Sequence, residues 1–72
     1  MSKLGIFMAN GCEEIEGLTA VDMARRAGIE IEMISITEEQ QVTSSHAVTF
    51  LTDTTKDKAD FESYDGIVFG QI

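Results

Sequence analysis

Asn10-Gly11-Cys12-Glu13-Glu14-Ile15-Glu16 is the stretch on which the reading of this chain turns. Ahead of it runs Leu4-Gly5-Ile6-Phe7-Met8-Ala9, short and almost unbroken in its apolar character. Such a run suits a strand buried on both faces, as in a parallel sheet. Asn10-Gly11 breaks the strand, and a helix pattern follows from about Glu14 to Ala27. Glu13 and Glu14 complement the positive end of that helix, and Arg25 and Arg26 suit its last turn. Gly28 stands where a left-handed residue would end it. In α/β sheets, ligands gather outside the carboxyl ends of the strands. Three carboxylates and a thiol crowd that position here, so the turn is the first candidate site.

Outward from the turn, the helix carries Leu18, Val21 and Ala24 on one arc and Ala20, Met23 and Ala27 on another. A helix apolar over so much of its circumference buries more than one side. One side faces a sheet, and the other calls for a second helix or a partner subunit. Ile29 to Ile36 begins by alternating apolar and acidic residues and reads as the second strand, parallel to the first through a right-handed crossover. Val42–Ser45 and Ala47–Leu51 read as short strand-like pieces around a Ser44-Ser45-His46 turn. Asp53–Ser63 is polar, with a single helical turn expected around Lys58 to Phe61. Gly66-Ile67-Val68-Phe69 is again a buried-type run and reads as the third parallel strand.

Length limits the chain to one small domain, and 72 residues bury only roughly 60% of their unfolded surface. The hydrophobic share of 43% and charged share of 25% are those of a folded protein rather than a disordered one. A net charge of −8 with five basic residues leaves no phosphate-binding surface, so nucleic acid is excluded as a partner. No stretch reaches the ~20 apolar residues of a membrane helix. The first 20 residues lack an apolar run behind a basic start, so no signal peptide is expected. Cys12 is the only cysteine, which rules out an internal disulfide and fits a reducing cytoplasm.

Motif chemistry narrows the turn further. Asn10-Gly11 has neither the spacing of a dinucleotide-binding glycine loop nor a Walker lysine, and the adjoining glutamates repel phosphate. No cofactor is expected. A metal site would need His or Cys beside Glu13 and Glu14, and only Cys12 is near, so no metal is expected either. Glu16 reads by spacing as a solvated first-turn glutamate. Its alternative is a carboxyl that orients a thiolate or shuttles a proton. Cys12 lies near a helix N-terminus, which favours the thiolate, yet nothing in the sequence fixes its surroundings. Asp22 and Arg26 are spaced to pair along the helix, which is worth a few tenths of a kcal/mol. His46, the only histidine, reads as a surface turn residue.

The stretches Ala9–Glu16, Val21–Ile29, Val42–His46 and Tyr64–Val68, taken together and in this order, resemble the amino-terminal portion of the DJ-1/PfpI (ThiJ) family, in particular its DJ-1-like branch. The resemblance implies an α/β fold with a flavodoxin-like (Rossmann-like) parallel sheet, here truncated after the third parallel strand. The expected strand order is two-one-three, with residues 1–72 forming the amino-terminal part of a single domain. It implies a homodimer and a small active site around a cysteine on a strand-to-helix elbow. The glutamate matching Glu16 lies beside that cysteine and hydrogen-bonds to it. The activities that go with the family are cofactor-free glyoxalase (methylglyoxal to lactate), deglycation, peptidase action, and redox-sensing or chaperone roles. The positions matching Arg26 and His46 lie near the dimer interface and the mouth of the site, where an anion could sit between them.

Family domains run to more than twice this length. The elbow and a later histidine region have no counterpart in these residues, and Gly70-Gln71-Ile72 stands where a Pro-Gly-Gly-like turn is usual. By this reading Cys12 occupies a variable loop position, and Glu16 is a catalytic carboxyl without its thiol. Two functions follow as expectations. One is the amino-terminal part of a cysteine-dependent enzyme acting on a small dicarbonyl, inactive alone. The other is a non-catalytic module that self-associates or pairs with a separately encoded remainder.

Overall fold

A computed structural model describes residues 3–69. Strand β1 (Lys3–Met8) is followed by helix α1 (Glu14–Arg26) and strand β2 (Glu30–Ser35). Two short strands, β3 (Gln41–Thr43) and β4 (Thr49–Leu51), come next. The two-residue β5 (Thr54–Thr55), a 3-10 turn at Phe61–Ser63 and β6 (Gly66–Phe69) complete the order. The main sheet runs β5-β2-β1-β6, with every pairing parallel. Ile6 lies opposite Met33 on one side and Val68 on the other, so β1 is the centre of the sheet.

The expected β-α-β unit and the two-one-three order of its main strands are present. β5 is an addition within the polar stretch Asp53–Ser63, where no strand is expected from the sequence. It pairs Thr54 with Ile34 and Thr55 with Ser35 on the outer edge of β2. The 3-10 turn also lies later than the expected helical turn at Lys58 to Phe61. Lys58 and Ala59 instead donate their amides back to the Thr55 carbonyl, while the Ser63 hydroxyl and amide donate to the Asp60 carbonyl. Phe61 is thereby set against Phe7, ring centroids 5.9 Å apart. Gly70-Gln71-Ile72, which stands where the family's Pro-Gly-Gly-like turn is usual, lies outside the described residues.

Helix α1 ends by a Schellman motif. The Ile29 amide donates to the Ala24 carbonyl and the Gly28 amide to that of Arg25, with Gly28 at φ +79°. Gly17 and Val21 are buried against the sheet, whereas Met23 is 65% exposed on the opposite side. The core under the helix joins Ile6, Met8, Ile31 and Val21 with Cys12 and Val42. On the other sheet face, Phe7 stacks on Phe69 at 5.5 Å as well as on Phe61. Gly5 makes room there: a Cβ at this residue would lie 2.7 Å from the Ile34 Cδ1 and 3.2 Å from the Tyr64 ring. Among the described residues no helix covers this aromatic face, and Phe69 is 73% exposed.

Strands β3 and β4 form an antiparallel hairpin apart from the main sheet. Its loop closes with the Ala47 amide donating to the Ser44 carbonyl and the Ser44 amide to the Val48 carbonyl. Ala47 takes the left-handed position that such three-residue loops give to glycine, at φ +62°. A β-carbon in that conformation costs about 1–2 kcal/mol. Ala47→Gly is therefore expected to raise stability by up to about 1 kcal/mol, the remainder being offset by glycine's extra unfolded-state entropy. Urea denaturation of the two proteins side by side measures it.

Candidate functional site

The site is built where β1 gives way to α1. Gly11 turns the chain at φ +84°, and the Cys12 amide donates back to the Ala9 carbonyl at 3.1 Å. The hairpin then docks on this turn. The Gly11 amide donates to the Thr43 carbonyl at 2.8 Å, and the Ser45 amide to the Cys12 carbonyl at 2.9 Å. The Asn10 side chain accepts from the Thr43 amide at 2.9 Å. Asn10 thus works as a strut between two segments distant in sequence, beyond the turn-former read from the sequence.

Docking of the hairpin sets the fate of each side chain in the turn. Cys12 is enclosed at 1% exposure. Burial pushes its thiol above the ordinary range, backbone hydrogen bonds partly oppose this, and the charges of Glu14 and Glu13 add to the rise. Its closeness to the helix N-terminus therefore does not make it a thiolate. Glu14 is also buried, at 8% exposure. Its carboxylate receives His46 Nδ1 at 2.9 Å to Oε1 and 3.2 Å to Oε2. Burial alone would raise the Glu14 pKa. Its own backbone amide and hydrogen bonds from His46 and Ser44 outweigh that and hold it below the usual value. The hydrogen bond to Glu14, and the charges of Glu14 and Glu13, push His46 up, against a small opposing effect of burial.

Ser45, His46 and Glu14 resemble a nucleophile-base-acid set in composition only. The Ser45 hydroxyl and the Glu14 carboxylate both approach the same imidazole nitrogen, Nδ1, at 3.4 Å and 2.9 Å. A relay needs them on opposite nitrogens. The Ser45 hydroxyl instead donates to Glu13 at 3.2 Å. Among the described residues no group of His, Cys, Asp and Glu is disposed to hold a metal.

The residues singled out from the sequence are separated by the fold. Glu16 is exposed in the first turn of α1 and borders a shallow open depression with Ile15, Thr19, Ala20 and Met23. Cys12, by contrast, has its side chain in the core. Arg26 is bound by its own helix, donating from Nε to Asp22 at 2.9 Å. His46 meets the start of the helix and Arg26 its end, a span of roughly 18 Å at 1.5 Å per residue. An anion site shared by Arg26 and His46 would thus have to draw them from two copies of the chain. Glu14 and Ser45, as partners of His46, were not foreseen. Ser45 is next to His46 in the chain, but Glu14 lies 32 residues from it, and neither residue type nor spacing announces that contact.

The fold and this turn together define a parallel α/β protein whose charged residues gather at the carboxyl end of its central strand. Among family models, that of the DJ-1/PfpI family matches residues 2–70, and the chain belongs to that family. Solved structures agree. Oxidized DJ-1 of Toxoplasma gondii is 30% identical, with a TM-score of 0.90 over 97% of this chain and 38% of that one. DJ-1beta of Drosophila melanogaster is 31% identical, with a TM-score of 0.88 and the same coverage of 97% and 38%. The putative protease I of Bacteroides thetaiotaomicron, at 12% identity and a TM-score of 0.87 over 97% of this chain and 41% of that one, shares the fold. The chain therefore spans well under half the length of these relatives. A search of curated proteins by sequence gave no significant match.

The buried, protonated state of Cys12 has a direct consequence. Its reaction with a disulfide reagent at neutral pH is expected to run at least about tenfold slower than that of free cysteine, rising to the free rate in denaturing urea. A native rate equal to that of free cysteine would place the thiol outside the core.

Proposed function

We propose that this chain is the amino-terminal part of a DJ-1-like, cysteine-dependent, cofactor-free glyoxalase or deglycase domain, and that it contributes Glu16 to the active site. The match of the family model over residues 2–70 carries the reading. Glu16 is the carboxylate that suits the role. It stands on the first turn after the central strand, exposed and open to a reacting thiol and a small dicarbonyl. A carboxylate so placed orients the thiol and moves a proton between the carbons of the substrate, a contribution of typically 10²–10⁴-fold in rate. The thiol comes from outside these residues, because Cys12, the single cysteine, is buried and held protonated. By itself the chain is inactive.

The reading includes a cytoplasmic protein that acts as a homodimer or in association with the rest of its domain. The open side of α1 supports that association: Ile15 and Met23 are 66% and 65% exposed beside Glu16. The same surface supports the second reading, a non-catalytic module that self-associates or serves as one piece of a split protein. Neither reading involves nucleic acid. No helix among the described residues is long and apolar enough to cross a membrane.

Lactate formation from methylglyoxal separates the readings. The isolated chain is expected to form none above buffer. Joined to the remainder of a DJ-1-like domain, it is expected to turn over, with a loss of about 10²-fold or more in Glu16→Gln and little change in Cys12→Ala. Turnover by the isolated chain that both Cys12→Ala and Glu16→Ala abolish would contradict the proposal.

A further inference from the structure

The hairpin is tied to the start of α1 in two ways. The bonds from Gly11 to Thr43, from Ser45 to Cys12 and from Thr43 to Asn10 involve no ionisable group. Ionisable groups cross the same boundary as well: the Ser45 hydroxyl donates to Glu13, and His46, at the hairpin tip, meets Glu14 in the first turn of the helix, the contact in which both partners carry charge when His46 is protonated. The tip is also strained, with Ala47 in the left-handed region. We propose that the hairpin is a pH-dependent clasp, in which protonated His46 grips Glu14 and holds the Ser44–Val48 loop over the start of α1, and loss of that proton loosens the loop.

The carboxylates facing His46 favour its protonated form. From α1 comes Glu14, from the turn before it Glu13, and from the hairpin itself the uncharged Ser45 hydroxyl. Arg25 and Arg26 sit at the far end of the helix, beyond a Debye length at physiological salt. The signs follow from the two shifts. His46 is raised above its ordinary 6.5, so its contribution is complete below about pH 6.5 and is lost as pH rises through the folded-state value. Glu14 is lowered below its ordinary 4.5, so its contribution is present above about pH 4.5 and is lost as pH falls through the folded-state value. The clasp is fully engaged between these limits.

Neutral histidine retains a tautomer with a proton on Nδ1, so the hydrogen bond to Glu14 can survive while the charge is lost. The loop therefore loosens by a modest factor rather than swinging free. What it uncovers is specific: Glu14 and Ser44, buried at 8% and 5% exposure, lie beneath or within it. The device thus governs exposure of Glu14 and Ser44 and leaves Glu16, already exposed on the outer side of the helix, unaffected.

Amide hydrogen exchange of the full chain, corrected for base catalysis, tests this at Ser45 and Val48. Protection at both amides is expected to fall about two- to fivefold from pH 5.5 to pH 8.5, the scale of an exposed ion pair, while protection at Ile6 in the sheet centre stays constant. His46→Gln is expected to show the lower protection at both pH values, and His46→Lys, charged throughout, the higher at both. Equal protection at the two pH values in the unmodified chain, or the same fall in His46→Lys, would overturn the proposal.

Discussion

The docking of the β3–β4 hairpin on the β1–α1 turn is the interaction on which the site depends. β1 is fixed in register by parallel neighbours on both sides, so its carboxyl end is placed without freedom. The turn that follows leaves an amide at Gly11 and a carbonyl at Cys12 for which the sheet offers no partner. The hairpin supplies both, through Thr43 and Ser45. Cys12 is buried, and leaving a buried backbone group unpaired costs about 1–3 kcal/mol, so the Ser45 bond does more than decorate the turn. Val42 enters the core beside Cys12 as part of the same contact. Burial of the thiol, burial of Glu14 and its meeting with His46 all follow from this one docking event.

Much of this architecture could be read from the chain, for physical reasons that differ between elements. The apolar run Leu4–Ala9, the Asn10-Gly11 break and Gly28 specify β1, α1 and β2, because each acts through local backbone preference or continuous burial. The run Gly66–Phe69 specified β6 through aromatic and β-branched preference, but not through the burial expected of it: β6 lies at the sheet edge among the described residues, and Ile67, Val68 and Phe69 are 38%, 39% and 73% exposed. β5 was not legible: Thr54-Thr55 carries no apolar signal and becomes a strand only because the β2 edge offers Ile34 and Ser35 as partners. The His46–Glu14 pair was hidden for a related cause. Glu14 has the sequence pattern of a solvated helix-dipole partner, and its burial arises from a hairpin folded across it from far along the chain. Conversely, Cys12 had the local pattern of a reactive thiol, and the same hairpin encloses it.

The fold sorts the acidic cluster Glu13-Glu14-Ile15-Glu16 by direction. Glu13 and Glu14 turn toward the hairpin and are engaged there by Ser45 and His46. Glu16 turns outward, with Ile15 and Met23 beside it. Structure and availability for chemistry are thus divided between neighbouring carboxylates by helical phase together with the docking of the hairpin on one side. The apolar side of α1 and the Phe7-Phe61-Phe69 face of the sheet are the two surfaces that a single helix cannot cover, and they are where a doubly layered α/β protein would take its remaining contacts.

The docking claim is tested most directly by nuclear Overhauser contacts across the hairpin boundary in the isotopically labelled chain. The account predicts contacts from the Ser45 amide to Cys12 and from the Gly11 amide to Thr43. Observation of contacts within the hairpin only, with none reaching residues 10–12, would contradict it.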